Sequence, residues 1–368
     1  MTEAEKYMRL ALDLAASAGE RTYPNPMVGA VIVKGGRVVG RGYHEKAGLD
    51  HAEVAALKSV KGSCKGATMF VTLEPCDHYG KTPPCTKAII SSGIKEVYAA
   101  MKDPNPINSG KGIRKLREAG IRVNVGVMAS EAKELVRKYT RFITKKMPYV
   151  TIKLAQSIDG KIAAADGTSK WISSEKSRKL VREIRGRSDA VMVGIGTVLA
   201  DDPFLLDAAK KGYATRRVVI DSRLRIPERS NLIKTADRSP VLIAVTPAAP
   251  GYKVKKLARI RGVEVITARA KSGKVDLGDL FGKLAERGIV NILVEGGGEL
   301  AGSLFDEGYV DEVIFFISPK VIGGGSSSVK GKGARTIVDA IRLRDVEISM
   351  SGDDIMVTGK IIHTRYHN

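Results

Sequence analysis

The chain has 368 residues, of which 43% are hydrophobic and 27% charged, and it carries a formal net charge of +21. Its length exceeds what one hydrophobic core ordinarily serves, so two domains are expected, and its composition excludes a disordered or low-complexity protein. There is no run of about 18 apolar residues to span a membrane, and MTEAEKYMRLALDLAASAGE lacks the basic and apolar stretches of a secretion signal, so the expected location is the cytoplasm.

Thr2 with Glu5 three residues on forms a capping-box pattern, and Met8, Leu12 and Ala15 recur at helical spacing up to Gly19, so the chain should open with a helix. VGAVIVKGGRVVGRGYHE reads as a hairpin about Gly35-Gly36. HAEVAALKSV is a short helix and ATMFVTL a buried strand. The alternation then continues through CTKAIISSG, IKEVYAAM, GIRKLREAG, IRVNVGV and one helix over ASEAKELVRKYTRFI, an α/β pattern. RFITKKMP loses the apolar period and places a proline before YVTIKLAQS, which sets the domain boundary near Lys146 and gives units 1–146 and 147–368. The second unit repeats the alternation with strands at DAVMVGI, RRVVID, PVLIAV, VEVIT, NILVEG and DEVIFFISP, and EISMSGDDIMVTGKII suggests a terminal hairpin. GGGSSSVKGKG, residues 323–333, is expected to be a mobile loop.

Three cysteines are too few, and odd in number, for a disulfide framework. Cys64 stands alone and reads as a packing thiol. By contrast, His51-Ala52-Glu53 followed by Pro75-Cys76 and then Cys85 follows the zinc deaminase signature, with a longer spacer between the cysteines. One imidazole and two thiolates leave a fourth tetrahedral position for water, whose pKa zinc lowers from about 15.7 towards 7. Glu53 is then placed to carry the proton from water to a ring nitrogen and to the departing amine. In the second unit, Gly296-Gly297-Gly298 between a strand and a helix can cradle a phosphate on free backbone N–H groups, although it is not a dinucleotide fingerprint.

TYPNPMVGAVIV, HAEVAAL, VTLEPCDHYGKTPPC, KLAQSIDGKIA, SKWIS, VLADDPFL and NILVEGGGELAGSLF together resemble the bifunctional riboflavin biosynthesis family, a fused pyrimidine deaminase and reductase, over about residues 2–320. The resemblance implies a cytidine-deaminase-like α/β/α domain followed by a dihydrofolate-reductase-like α/β domain. It implies zinc on His51, Cys76 and Cys85, with Glu53 as proton shuttle and Asn25, His44, Ala52 and Lys81 lining the pocket for an aminopyrimidine ribose phosphate. It further implies that Ala155, Trp171, Thr197, Asp201, Ser222 and the stretch Gly297, Gly298, Glu299, Leu300, Ala301, Gly302 and Ser303 contact NADPH. Ser169, Arg185, Leu205 and Glu295 would meet the second substrate, with Glu295 or Asp201 as candidate general acid. Where the family carries a polar or basic residue after the Asp201-Asp202-Pro203 run, this chain has Leu206-Asp207-Ala208-Ala209, so the phosphate contact there is expected to differ.

The excess positive charge is divided almost evenly between the two halves and suits an anionic small substrate or cofactor about as well as RNA. With aromatics at 5%, a base-stacking platform is disfavoured. The expected partner is therefore a small phosphorylated aminopyrimidine, with neither nucleic acid nor membrane, and a homo-oligomer stays open. Two rival readings are a deaminase of tRNA or nucleosides with an unrelated appendage, and a basic nucleic-acid-binding protein with a structural zinc.

Overall fold

The computed structural model describes residues 1–79, 83–207 and 214–363. Contacts divide the chain into two compact units, Met1–Met147 and Pro148–Asn368. Among the described residues no helix is long and apolar enough to cross a membrane.

The first unit opens with α1 (Glu3–Ala18). The Glu5 amide donates to Thr2 Oγ1 at 3.2 Å and the Thr2 amide donates to the Glu5 carboxylate at 2.7 Å, which satisfies two orphan donors of the first turn. Its buried stripe of Met8, Ala11, Leu12 and Ala15 packs on β1 (Gly29–Lys34). β1 joins β2 (Arg37–Tyr43) through Gly35 and Gly36, whose φ values of +55° and +71° give the two-residue turn that matches strand twist. There follow α2 (Ala52–Ser59), β3 (Thr68–Val71), α3 (Cys85–Ser91), β4 (Glu96–Ala99), α4 (Lys111–Glu118) and β5 (Arg122–Val125). The sheet order is β2-β1-β3-β4-β5, antiparallel as far as β3 and parallel from there on. The single helix expected over 129–143 is two, α5 (Ala129–Leu135) and α6 (Arg137–Lys145). They meet at Val136, whose φ of −101° and ψ of 16° leave the helical region while amide bonds from Val136 to Ala132 and from Thr140 to Val136 continue across the joint.

The second unit contains β6 (Tyr149–Ser157), β7 (Lys161–Ala163), α7 (Glu175–Arg185), β8 (Ala190–Gly194), α8 (Ile195–Asp201), β9 (Arg216–Ile220), α9 (Asn231–Lys234), β10 (Val241–Val245), α10 (Gly251–Leu257) and β11 (Val263–Thr267). After these come β12 (Ala270–Lys271), β13 (Lys274–Val275), α11 (Leu277–Glu286), β14 (Asn291–Val294), α12 (Gly298–Asp306), β15 (Glu312–Ser318), β16 (Ser326–Ser327), β17 (Leu343–Ser351) and β18 (Asp354–Ile361). Its main sheet runs β11-β10-β9-β8-β14-β6-β15-β18-β17, seven parallel strands closed by the antiparallel terminal hairpin. β8, β10 and β14 are nearly continuous buried apolar runs, as a parallel sheet covered on both faces requires. Residues that follow the strand ends, such as Glu295 after β14, therefore stand at the edge where open α/β sheets place ligands.

Residues 323–333 are pinned rather than loose. Ser326 and Ser327 pair with β7, the Ser328 amide donates to Gly160 O at 3.0 Å and the Lys330 amide to Gly298 O at 2.9 Å. Asp159 receives the amides of Ile322 and Gly323, and Asp306 those of Lys332 and Gly333. The small residues that suggested mobility instead let this strap lie flat on α12, because a β-carbon at Gly302 would stand 1.1 Å from Lys330 O. Gly302→Ala should therefore separate strap from helix and destabilise the second unit by about 1–3 kcal/mol. Differential scanning calorimetry should show its transition at lower temperature, and an unchanged transition would mean the strap is not held by this contact.

Candidate active sites

In the first unit three donor atoms meet at the end of β3. His51 is the N-cap of α2, in extended backbone and with no side-chain cap bond, and its ring is turned towards the cysteines. Cys85 is the first residue of α3, and Cys76 lies in the segment that leaves β3. His51 Nδ1 stands 3.2 Å from Cys85 Sγ and 3.6 Å from Cys76 Sγ, and all three donor atoms lie within 4.8 Å of one another. The Cys85 amide donates to Cys76 Sγ at 3.4 Å. With the Cys85 thiol and His51 turned towards it, Cys76 is held well below its usual pKa and is the thiolate of the pair, while Cys85 is pushed up. His51 is raised, first by its hydrogen bond with Cys76. An imidazole and two sulfurs at this separation fit a tetrahedral zinc with its fourth position open.

Glu53 sits in the first turn of α2, buried beside these groups. Burial first, and then the Cys76 thiolate, raise its pKa to about 7, the value suited to a proton carrier at neutral pH. His44 is buried and its pKa is lowered by that burial, so the ring is neutral. Its Nδ1–H donates to Asp50 O at 2.9 Å, which leaves Nε2 to accept from Asn25 Nδ2 at 3.1 Å. Asn25 and His44 are thus joined side by side, and the His44 and His51 rings lie edge to face at 5.4 Å, with Ala52 the residue after His51. Lys81 lies outside the described residues.

The second unit gathers its expected residues less evenly. Arg185, the last residue of α7, donates Nε–H to Glu295 Oε1 at 2.8 Å and Nη2–H to Oε2 at 3.0 Å, and its Nη1 bonds to Leu206 O. Two expected substrate residues are therefore partners of each other. Ser169 Oγ donates to Asp201 Oδ1 at 3.4 Å, and Leu205 is buried with a φ of +50°. Trp171 is exposed, with the Arg178 guanidinium 4.4 Å from its ring centre. Ser222 Oγ accepts from the Val275 amide at 3.1 Å. Within Gly297 to Ser303 only the first turn can face a ligand. The Gly298, Glu299 and Leu300 amides have no helical acceptor, whereas Ala301 is buried with its amide on Gly297 O, Gly302 lies under the strap, and Ser303 Oγ turns back to Glu299 O. Thr197 stands across from Gly297.

Both halves have counterparts among known proteins. Residues 1–101 match the family model for the cytidine and deoxycytidylate deaminase zinc-binding region, and residues 148–357 match the RibD C-terminal domain. The chain is 42% identical to the riboflavin biosynthesis protein RibD of Aquifex aeolicus, over 96% of this chain and 97% of that one. Among solved structures, RibD of Acinetobacter baumannii matches with a TM-score of 0.87 at 33% identity, covering 98% of this chain and 99% of that one. The chain belongs to the RibD family. It is a bifunctional deaminase and reductase of riboflavin biosynthesis, with a zinc-binding deaminase domain and a reductase domain of the RibD type. A Thermotoga maritima protein described as a diaminohydroxyphosphoribosylaminopyrimidine deaminase/5-amino-6-(5-phosphoribosylamino)uracil reductase matches with a TM-score of 0.82 at 36% identity, over 98% of this chain and 99% of that one.

One further charged residue, not expected from the sequence, stands near the Arg185–Glu295 pair. Lys153 lies on β6 two residues before Ala155, hence on the same face of the strand. Burial lowers its pKa against the pull of Glu295, and Arg185 and Asp354 also act on it. The available signal was a lysine between Ile152 and Leu154 in the strand YVTIKLAQS. Glu295 is pushed up by burial, but Arg185 and then Lys153 outweigh that and leave it below the usual carboxylate range. A lowered carboxylate contributes stability above its unfolded pKa of about 4.3 and loses it as pH falls through the folded value. Glu295→Gln should therefore cost the second unit about 3–5 kcal/mol at neutral pH by leaving Arg185 unpaired, and the deficit should shrink below about pH 4. Urea unfolding at several pH values checks this, and a deficit that stays constant down to pH 3 would contradict it.

Proposed function

We propose that the first unit hydrolyses the amino group from 2,5-diamino-6-ribosylamino-4(3H)-pyrimidinone 5′-phosphate, and that the second uses NADPH to reduce the ribosyl group of 5-amino-6-(5-phosphoribosylamino)uracil to ribityl. The observation that carries this reading is the meeting of His51, Cys76 and Cys85 within 4.8 Å, with the buried Glu53 beside them. The reaction pair in the description of the Thermotoga maritima relative supports it. The setting is the cytoplasm, and the partner is a small phosphorylated molecule.

His51, Cys76 and Cys85 would hold the zinc. When bound, zinc supplies the Lewis acidity that lowers the pKa of water towards 7. Glu53 takes one proton from water and delivers it to a ring nitrogen, then takes the second from the hydroxyl added to the ring carbon and delivers it to the leaving amine as the C–N bond breaks. Neutral His44 fixes the Asn25 amide, so Asn25 Oδ1 is left to accept from the pyrimidine, and Ala52 closes the pocket wall. Lys81, by family resemblance, meets the ribose phosphate.

In the second unit the first-turn amides of α12 would cradle the cofactor phosphates. NADPH, when bound, supplies the hydride. Ala155, Thr197, Trp171, Asp201 and Ser222 surround that place by resemblance, and the Arg185–Glu295 pair with Lys153 frames the pyrimidine substrate. An ionised Glu295 is an acceptor in this state.

Purified protein should carry about one zinc per chain, lost on Cys76→Ser with Cys85→Ser. Glu53→Gln should retain the metal while deamination falls by about 10²–10⁴-fold, and NADPH oxidation on already deaminated substrate should persist. Retained deamination in Glu53→Gln would remove the proposed shuttle.

Gly297 separates cofactor binding from folding. A β-carbon there meets only Thr197 Oγ1, at 3.8 Å, so valine fits the empty fold but occupies the space that a phosphate needs. Gly297→Val should weaken NADPH binding by at least about tenfold with an unchanged melting temperature. Equal affinity in a titration of NADPH fluorescence would send the cofactor elsewhere.

A further inference from the structure

From Thr72 to Pro84 no described residue belongs to a helix or strand, so Cys76 has no backbone ladder to fix it. A zinc with bonds of about 2.3 Å to sulfur nevertheless accepts only a narrow range of sulfur positions. The segment is held instead by side chains, all but Asp77 buried, that are not themselves donors to the metal. Thr86, next to Cys85, donates its amide to Cys76 O at 3.2 Å and its Oγ1–H to Asp77 Oδ1 at 2.6 Å. The Asp77 amide in turn donates to Asn108 Oδ1 at 3.0 Å, and Asn108 Nδ2 donates to Asp103 Oδ2 at 3.2 Å.

Two residues before Cys76, the buried Glu74 carboxylate accepts from Asp103 N at 3.0 Å, Gly110 N at 2.9 Å and Ile113 N at 3.2 Å. A β-carbon at Gly112 would stand 1.9 Å from Pro75 O, so α4 seats against the peptide that precedes Cys76. Asn108 has no exposed surface and is the one side chain in this set whose amide serves both the cysteine segment and the 103–113 segment.

We propose that Asn108, backed by Glu74, is a positioning residue for the metal centre: the brace Glu74, Asp103, Asn108, Asp77 and Thr86 sets Cys76 against Cys85 before any metal binds. The inference rests on the zinc reading of the site. The direct contacts of a metal's ligands are oriented by groups behind them, and loss of such groups weakens metal binding about 10–100-fold. Here the brace acts through the backbone on either side of the sulfurs.

The test uses the full chain loaded with zinc. Zinc release to a chromophoric chelator gives the affinity, and replacement by Co²⁺ gives an absorption band whose intensity reports tetrahedral geometry. Asn108→Ala should weaken zinc binding about 10–100-fold and reduce the Co²⁺ band, while NADPH oxidation on deaminated substrate stays normal. Should Asn108→Ala fail to fold, Thr86→Val decides, because it removes the last link of the brace without leaving a cavity, and it should show the same direction of change. Tyr139→Phe removes the hydroxyl that reaches Asp103 from the far side at 3.4 Å and should leave zinc affinity unchanged. Unchanged zinc affinity and Co²⁺ spectrum in Asn108→Ala or, where that does not fold, in Thr86→Val, or a Tyr139→Phe chain as weak as Asn108→Ala, would overturn the positioning role. An unaltered chain that binds no zinc would instead overturn the reading of the site, and this inference with it.

Discussion

The approach of His51 Nδ1 to Cys85 Sγ, at 3.2 Å, is the contact on which the first unit depends. It joins the start of α2 to the start of α3, two helices separated by a strand and a long loop. For those starts to meet, α2 must lie close on the sheet, and β2 supplies that closeness with Gly42, where a β-carbon would stand 2.3 Å from Ala56 N. The extended backbone of His51 then turns the imidazole towards the sulfurs, and the first turn of the same helix carries Glu53 into the buried space beside them. A potential metal donor and a buried carboxylate two residues apart are thus delivered by one helix start.

The second unit solves its problem with charge. A parallel sheet places the ends of β6, β8 and β14 side by side, and the residues emerging there include Glu295 and, from the adjoining helix, Arg185. Burying either charge alone would be costly, whereas the two-pronged pairing satisfies both carboxylate oxygens and leaves the guanidinium one further bond to Leu206 O. Lys153, from the strand next to β14, joins the same field. The resulting cluster is a fixed, polar frame at the sheet edge.

Local chemistry was legible in the sequence wherever it was carried by neighbouring residues. The Thr2–Glu5 cap and the Gly35-Gly36 turn are short-range patterns, and His51, Glu53, Cys76 and Cys85, though spread over 34 positions, follow a motif that names its own chemistry. What stayed hidden depends on contacts between distant segments. The strap over α12 is rich in Gly and Ser, a composition that serves a flexible loop and a close backbone contact equally well, and partners distant in sequence, the carboxylates of Asp159 and Asp306 among them, decide between the two. Lys153 looked like an ordinary strand residue until β14 brought Glu295 beside it. Asn108, thirty-one residues beyond Asp77, has no local signature that marks it as a partner of the cysteine segment.

Two buried glutamates show how the same side chain is set to different work. Both are penalised as anions by burial, which alone would raise their pKa. Glu53 has a thiolate for a neighbour, and the two effects add, so it stands at about 7 and can exchange a proton in either direction near neutral pH. Glu295 has Arg185 and Lys153, and their attraction exceeds the penalty of burial, so it stays an anion and holds a shape instead of a proton. The leading difference after burial is the sign of the neighbouring charge, and that sign is set by which helix start or strand end each glutamate was placed against. A glutamate near its titration point and one locked as an anion are therefore produced in this protein by topology acting through electrostatics, with the residue type held constant.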